Sequence, residues 1–327
     1  MWFITTASSA LLYPMHQPEI SIVVTVYNEE KNIQPLLTAI YVALAHLDYE
    51  LILVDDGSTD RTVQEVKSYA NDKTHLLIFN RNHGQTTALA AGIDHSRGAY
   101  IATMDGDLQN DPTDIPMMLE KAKRENWDVV AGRRANRQDG FVFRKIPSRI
   151  ANWVIRHTTK VYLKDYGCSL RVYKADIAQN LGLYGELHRF IPVLATQRGA
   201  AMTEVDVKHH PRIHGESKYG LNRTFKVMAD LILMLFFQKY FQRPIHLFGT
   251  LGLLALLGGT LISIYLTILK VLGEDIWGRP ILMVAFILLL GGVQLITSGI
   301  VAEMIVRTYF ESQNKKTYTL KETFRGE

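Results

Sequence analysis

Short apolar runs alternate with helix-like patterns along the first part of the chain. Strands are predicted at 20–26, 50–54, 75–79, 99–104 and 128–131. Helices are predicted at about 30–46, from about Thr59, and at 85–96. Uniformly apolar strands of this length are typical of a sheet that is buried on both faces. The alternation therefore predicts an α/β fold, Rossmann-like in its mostly parallel sheet, with right-handed crossovers.

The last third of the chain has a different pattern. Residues 245–269 and 281–302 contain no Asp, Glu, Lys or Arg, and each run has the roughly 20 residues that a helix needs to cross a bilayer. A buried helix of a soluble protein would also be apolar, but two such runs separated only by residues 270–280 favour a pair of transmembrane helices.

The segment just before the first apolar run is amphipathic. In residues 221–243, apolar side chains recur at helical spacing between basic ones, which predicts a helix lying in the membrane surface. A helix that packs on a protein core is the alternative. Basic residues flank the two spans and are sparse between them, so the positive-inside rule places both ends in the cytoplasm of a multi-pass inner-membrane protein.

These boundaries give five segments. Residues 1–17 are an extension, 18–220 the catalytic domain, 221–243 the interface helix, 244–306 the two-helix anchor and 307–327 a cytoplasmic tail. Met15 is an alternative start, and the first residues lack the basic region of a signal peptide. With 36 Lys and Arg against 32 Asp and Glu, nothing indicates a nucleic-acid partner. The single Cys168 excludes an intrachain disulfide.

Two acidic clusters follow predicted strands. Asp105 and Asp107 come after the fourth strand, and Asp55 and Asp56 come after the second. The carboxyl ends of parallel strands share one edge, where ligands of such sheets bind. Carboxylates are suitable ligands for Mg²⁺ or Mn²⁺, which would neutralise a departing diphosphate. Gly106 would let the backbone pass close to a ligand.

Other residues of this rim suit a nucleotide. Tyr27, Asn28 and Glu29 follow the first strand and could cradle a base, while Asp56 could accept hydrogen bonds from a base or a ribose. An ordinary helix cap is the alternative for the second cluster, although Ser58 or Thr59 would suffice for that.

The stretch 132–149 is rich in arginine and suits a phosphate monoester, because a guanidinium donates two parallel hydrogen bonds. Arg133 is the first candidate, since it follows the fifth strand and returns to the rim. A solvated loop beside anionic lipid is the alternative for any one of these arginines. Asp165 is a candidate orienting group, and a purely structural role explains it equally well.

Several motifs together resemble glycosyltransferase family 2, which has the GT-A fold. They are VVTVYNEE, LVDDGSTD, NRNHGQTTALAAGID and MDGDLQNDP, in the family's order and spacing. Four more, NRQD, DYGCSLRVY, FIPVLA and GESKY, resemble the polyprenyl-phosphate branch that includes dolichyl-phosphate mannose synthase and the formamido-arabinose transferases. The resemblance covers about residues 18–310.

The resemblance implies a metal-dependent transfer of sugar from a nucleotide-sugar to a polyprenyl phosphate at the bilayer. It assigns nucleotide binding to Tyr27, Glu29 and Asp56, and the metal and diphosphate to Asp105, Asp107 and Gln109. It assigns the acceptor phosphate to Arg133, Arg144 and Ser148, with Arg212 and Lys218 closing over the diphosphate. The family usually has Asp-Ala-Asp at the metal site, and the change to Gly106 is expected to be harmless.

A lipid phosphate has a second pKa of about 6, so it is already largely anionic and needs no general base. We therefore predict direct displacement at the anomeric carbon. A transferase for another lipid or glycan, or a non-catalytic scaffold that binds nucleotide-sugar, are the alternatives. The sugar and the choice of UDP or GDP stay open, and the glycines of the two spans can pack helices within or between chains, which leaves homo-oligomers open.

Overall fold

The computed structural model describes residues 17–134, 163–183, 185, 187–211, 236, 240 and 243–312. The chain divides into two compact units, Met1–Asp230 and Leu231–Glu327. The interface helix predicted at 221–243 lies almost wholly outside the described residues.

The first unit alternates strands and helices around one sheet. Its elements are β1 (Ile20–Val26), α1 (Glu30–Ala43), β2 (Tyr49–Asp55), α2 (Thr62–Tyr69), β3 (Thr74–Ile78), α3 (Gln85–Asp94), β4 (Tyr100–Asp105), a 3₁₀ turn (Pro112–Asp114), α4 (Ile115–Arg124), β5 (Val129–Arg134), β6 (Arg171–Lys174), α5 (Ala175–Gln179), a second 3₁₀ turn (Leu187–Phe190), α6 (Ile191–Gln197) and β7 (Met202–Val207).

Within the described residues the sheet has seven strands in the order β3-β2-β1-β4-β6-β5-β7. Strand β6 runs antiparallel to both β4 and β5, and all other neighbours are parallel. The predicted α/β fold with a mostly parallel sheet is confirmed. The carboxyl ends of β1, β2, β4 and β5 consequently lie at one edge.

The core explains the apolar runs. Strand β2 is buried along its whole length, and β1 is buried at all positions but Thr25, because both lie in the middle of the sheet. Helix α1 covers one face with residues at helical spacing, namely Ile33, Leu36, Leu37 and Ile40, all fully buried. The sheet edge that carries the polar residues is thus set on a rigid base.

Three details differ from the sequence prediction. Helix α2 begins at Thr62 and not near Thr59, because the loop before it is used for contacts with the β1 end. Strand β5 extends to Arg134 instead of ending at residue 131. Strands β6 and β7 were not predicted, since four mixed residues and a strand with few buried positions give little apolar signal.

The second unit contains two long helices, α7 (Ile245–Val271) and α8 (Pro280–Ser312). Both are long and apolar enough to cross a membrane, and only 17% and 11% of their candidate windows are buried. A core helix of a soluble protein would be mostly buried, so the exposed apolar surface agrees with the prediction of two helices that could span a bilayer.

Glycines form the contact between α7 and α8. A Cβ on Gly252 would lie 2.7 Å from the carbonyl oxygen of Gly292, and one on Gly292 would lie 2.8 Å from that of Gly252. Gly259 faces Leu289 in the same way. Gly291, by contrast, has nothing within 4 Å of the position of a Cβ. Some of the glycines therefore pack helices within the chain, as small residues do in membrane helix pairs.

Candidate active site

The predicted rim residues lie together at the carboxyl edge of the sheet. In the strand register Val26 is beside Asp55, and Thr25 is beside both Val54 and Asp105. The residues that directly follow β1, β2 and β4 are therefore neighbours, although they are tens of positions apart in sequence. The sheet gathers one polar site from three loops.

Hydrogen bonds join the loop after β1 to the loop after β2. Asn28 adopts a left-handed backbone conformation with φ of 53°, and its N–H donates to Ser58 Oγ at 2.9 Å. Asn28 Oδ1 accepts from the N–H of Thr59 at 2.8 Å. The N–H of Glu29 donates to Thr62 Oγ1 at 2.8 Å. Ser58 and Thr59 hence bind the neighbouring loop and do not cap α2.

Asp56 is buried and holds the loop that leads into α3. Its Oδ1 accepts from the N–H of His83 at 2.7 Å, and its Oδ2 accepts from the N–H of Gly84 at 3.0 Å. Position 84 favours glycine, because its φ of 93° is a backbone conformation that other residues rarely adopt. In this structure, therefore, the carboxylate proposed for the nucleotide also fixes the start of α3.

Asp105 and Asp107 form the acidic centre of the rim. Gln85 Nε2 donates to Asp105 Oδ1 at 2.7 Å. Burial, reinforced by repulsion from Asp107, raises the pKa of Asp105 to about 6, and the charges of Arg171 and Arg134 partly offset the rise. Two carboxylates that repel each other in a half-buried site are the arrangement that a divalent cation relieves.

The loop after Asp107 is held by the residues that follow β7. Gln109 O accepts from the N–H of His210 at 2.9 Å, and the backbones of Asn110 and His209 form an antiparallel bridge. His210 Nε2 lies 3.0 Å from Asp111 Oδ2. The backbone of Gln109 is thus held by a residue that follows β7.

The donor set fits Mg²⁺ or Mn²⁺. In the described part of the chain no three His, Cys, Asp or Glu side chains converge on one point. The predicted donors are the two carboxylates of Asp105 and Asp107 and the amide of Gln109. These ions commonly use one or two carboxylates and leave other positions to substrate phosphates and water.

Gly106 has a packing role that the sequence did not reveal. A Cβ at this position would lie 2.5 Å from Val26 Cγ1 and 3.1 Å from the carbonyl oxygen of Thr25. Gly106 lies against β1, so an alanine at this position would require Val26 to shift. The expectation that glycine in place of the family's alanine is harmless stays a prediction.

The two arginines at the end of β5 have different surroundings, because successive strand residues point to opposite faces. Arg133 forms a bidentate ion pair with Asp206 of β7, and this hydrogen bonding raises the pKa of Arg133. Arg134 forms a bidentate pair with Asp165 at 2.7 and 2.8 Å, and its charge, like that of Arg171, lowers the pKa of Asp105.

Of the other predicted residues, the structure describes Asp165 but not the remaining acceptor-phosphate candidates. Arg144, Ser148, Arg212 and Lys218 lie outside the described residues. Asp165 is buried and also accepts from the N–H of Gly167 at 3.0 Å, so its contacts are those of a residue that holds Arg134.

The sequence prediction did not include three polar residues whose contacts lie in or near the site, namely Gln85, Thr86 and Arg171. Gln85 contacts Asp105, and Thr86 Oγ1 lies 2.7 Å from His188 Nδ1. Arg171 is 3% exposed and donates to the carbonyl oxygen of Tyr166 at 2.8 Å. Their positions in the quoted motifs NRNHGQTT and DYGCSLRVY were the available signal.

The chain matches the description "Glycosyl transferase family 2" over residues 21–181. It is 47% identical over 319 residues to a dodecaprenyl-phosphate galacturonate synthase of Rhizobium johnstonii, which covers 95% of this chain and 94% of the relative. The chain belongs to glycosyltransferase family 2. A Pseudomonas aeruginosa undecaprenyl-phosphate 4-deoxy-4-formamido-L-arabinose transferase is 35% identical over 314 residues, 94% of this chain and 91% of that one.

Solved structures support the GT-A fold of this family 2 enzyme. Glucosyl-3-phosphoglycerate synthase of Mycobacterium tuberculosis, in complex with Mn²⁺ and UDP-glucose, aligns with a TM-score of 0.53 at 16% identity over 67% of this chain and 78% of that one. The mannosyltransferase PcManGT of Pyrobaculum calidifontis, in complex with GDP-Man and Mn²⁺, aligns with a TM-score of 0.50 at 16% identity over 93% and 83%. At this identity the likeness concerns the fold alone.

Proposed function

We propose that this family 2 glycosyltransferase transfers a sugar from a UDP- or GDP-linked donor to a polyprenyl phosphate, with inversion, and depends on Mg²⁺ or Mn²⁺. The observation that carries the proposal is the half-buried pair of Asp105 and Asp107 at the rim of the GT-A sheet. The relatives at 47% and 35% identity are both named for polyprenyl-phosphate acceptors.

The donor half of the site is assembled from three loops. Tyr27, Asn28, Glu29 and Asp56 would face the nucleoside, and Asp105, Asp107 and Gln109 would hold the metal. The bound metal would offset the charge that develops on the leaving diphosphate. Because the loops are already tied together by hydrogen bonds, little ordering is needed when the donor binds.

The acceptor half supplies positive charge. An oxygen of the lipid phosphate would form a bond to the anomeric carbon as the bond from that carbon to the diphosphate oxygen breaks, and the nucleoside diphosphate leaves with the electron pair. No proton is removed, so no base is assigned. Arg133, Arg144, Ser148, Arg212 and Lys218 are the proposed phosphate contacts, and release of Arg133 from Asp206 would accompany acceptor binding.

The location follows from the same acceptor. We propose a catalytic domain at 18–220 on the cytoplasmic side, an interface helix at 221–243 and a two-helix anchor at 244–306 in the inner membrane. A polyprenyl phosphate stays in the bilayer, so the two apolar helices would keep the enzyme beside its acceptor.

Galacturonate is the first donor sugar to test, because the relative named for it is 47% identical to this chain. Formamido-arabinose is the second. Purified full-length enzyme with Mn²⁺ and undecaprenyl phosphate would be screened against labelled nucleotide-sugars. Label in the organic extract supports the proposal, and the anomeric configuration of that product, opposite to the donor's, tests inversion by NMR.

Asp107→Asn provides the decisive variant. It should lower transfer at least on the order of 100-fold, as expected when charge stabilisation of the leaving group is lost. Asp72→Asn is the matched control, because Asp72 is exposed and distant from the rim. Normal transfer by Asp107→Asn would overturn the metal assignment. Donor binding without turnover would favour the scaffold, and label in a glycan would favour another acceptor.

A further inference from the structure

The first turn of α3 contacts three separate parts of the site through consecutive residues. The N–H of Gly84 donates to Asp56 after β2, the side chain of Gln85 donates to Asp105 after β4, and the hydroxyl of Thr86 meets His188 of the second 3₁₀ turn. None of the three contacts is local in sequence. This turn therefore connects the nucleotide side of the rim to its acidic centre.

Gln85 is held firmly enough to act on Asp105. Its neighbour Gly84 is fixed by both oxygens of Asp56, and Thr86 is 1% exposed. The backbone on either side of Gln85 is thus restrained, and its half-buried side chain reaches Asp105 Oδ1 at 2.7 Å. A hydrogen bond of this length fixes the rotation of the carboxylate about its side chain.

We propose that Gln85 is a positioning residue that holds Asp105 as a one-oxygen ligand of the catalytic metal. The inference rests on the proposed metal site. Gln85 donates to Oδ1, and Ser169 is a second hydrogen-bond partner of this carboxyl group. A carboxylate whose rotation is fixed in this way would offer one oxygen to the cation, which suits Mg²⁺, because a chelating carboxylate fits poorly in its near-octahedral geometry. Partners that orient a ligand in this way change metal affinity by about 10–100-fold when they are removed.

The chemistry of an amide suits this position. A glutamine donates a hydrogen bond without carrying charge, so it orients Asp105 and leaves its negative charge available to a cation. A glutamate of the same length would place a third negative charge beside Asp105 and Asp107 and could not donate when ionised. A leucine of similar size would fill the space without orienting the carboxylate.

The test is a titration of full-length protein with Mn²⁺, in the presence of UDP and separately of GDP, with free Mn²⁺ followed by electron paramagnetic resonance. Gln85→Leu should weaken Mn²⁺ binding about 10–100-fold. In transfer assays the same variant should need correspondingly more Mn²⁺ for half-maximal rate, while saturating Mn²⁺ restores most of kcat. A merely structural defect would not be rescued by the metal.

Matched variants make the outcome specific. Gln64→Leu applies the same substitution at an exposed position of α2 and should bind Mn²⁺ like the wild type. Gln85→Glu keeps the size of the side chain and should change the Mn²⁺ spectrum, because a new carboxylate enters the site. Thus a folding defect of Gln85→Leu still leaves one informative variant.

The failure of this inference differs from failure of the proposed function. Wild-type Mn²⁺ affinity in both Gln85→Leu and Gln85→Glu, alongside loss of binding in Asp107→Asn, would overturn the role of Gln85 alone. Absence of Mn²⁺ binding by the wild-type protein would overturn both proposals.

Discussion

The two units of the molecule use polar side chains in opposite ways. In the first unit, Met1–Asp230, here called the catalytic unit, they connect distant loops. Asn28 does so with Thr59, and Gln85 with Asp105. In the two-helix unit the hydroxyls donate within their own helix, as Thr267 does to the carbonyl oxygen of Ser263. Contact between the helices comes instead from glycines such as Gly252 and Gly292.

The difference agrees with two helices that could span a bilayer. A helix exposed to lipid must satisfy its polar groups internally and gains contact by close approach of backbones. A soluble α/β unit can use buried polar bonds between loops to fix a site before its ligand arrives. The catalytic unit should therefore be sensitive to loss of a buried polar partner, and the helical unit to added volume.

The largest expected effect is loss of the buried ion pair in the catalytic unit. Arg134→Leu removes the bidentate partner of the buried Asp165, and the two side chains are only 13% and 7% exposed. Breaking such a pair from one side costs about 3–5 kcal/mol. The free energy of unfolding of the full-length protein in detergent, from denaturant titration, measures it.

The adjacent arginine supplies the control. Arg133→Leu removes a pair with Asp206 whose side chains are 30% and 53% exposed, and its effect should be small because water screens an exposed pair. Equal losses in the two variants would mean that burial does not distinguish the pairs, which contradicts the structure.

The second effect concerns added side-chain volume at the contact between α7 and α8. The Cβ of Gly252→Leu would lie 2.7 Å from the carbonyl oxygen of Gly292. The variant should therefore lower the free energy of unfolding by up to about 3 kcal/mol through overpacking. The Cβ of Gly291→Leu would have nothing within 4 Å, so this variant should be tolerated better. Thermal stability in detergent compares the two, and a Gly252→Leu protein as stable as Gly291→Leu would refute the packing of α7 on α8.

How far sequence predicts each unit depends on the range of the contacts. Strands β1 to β4, the rim residues and both long helices follow from local apolar patterns. The bond from Gln85 to Asp105 joins side chains twenty positions apart and exists only through the sheet. Which of Arg133 and Arg134 pairs with Asp206 is decided by the register of β5 with β7, and two adjacent identical residues do not reveal that register.

The third effect concerns how far the ionised Asp105, beside Asp107, lowers the stability of the metal-free fold. Because the pKa of Asp105 is raised to about 6 in the folded protein, its ionised form destabilises the metal-free fold. That destabilisation is absent below the unfolded pKa, grows as pH rises towards 6 and is complete above it. Asp105→Asn should thus stabilise the metal-free protein by up to about 3 kcal/mol at pH 7.5 and by little at pH 4.

Thermal unfolding with a chelator present at both pH values measures this gain. Asp72→Asn, on the exposed loop before β3, should show no such pH-dependent gain. Asp105→Asn that is no more stable than the wild type at pH 7.5 would contradict the raised pKa.

The smallest effect tests added volume in the catalytic unit, at Gly106. A Cβ there would lie 2.5 Å from Val26 Cγ1, so Gly106→Ala should cost about 1 kcal/mol through overpacking. Val26→Ala removes the obstructing methyl at its own cost, because Val26 is only 2% exposed. The double variant should consequently be more stable than the sum of the two single losses predicts, by about 0.5–1 kcal/mol. Strict additivity in denaturant titrations would mean that the loop moves away from β1 instead, and that the glycine between the two carboxylates is not fixed by packing.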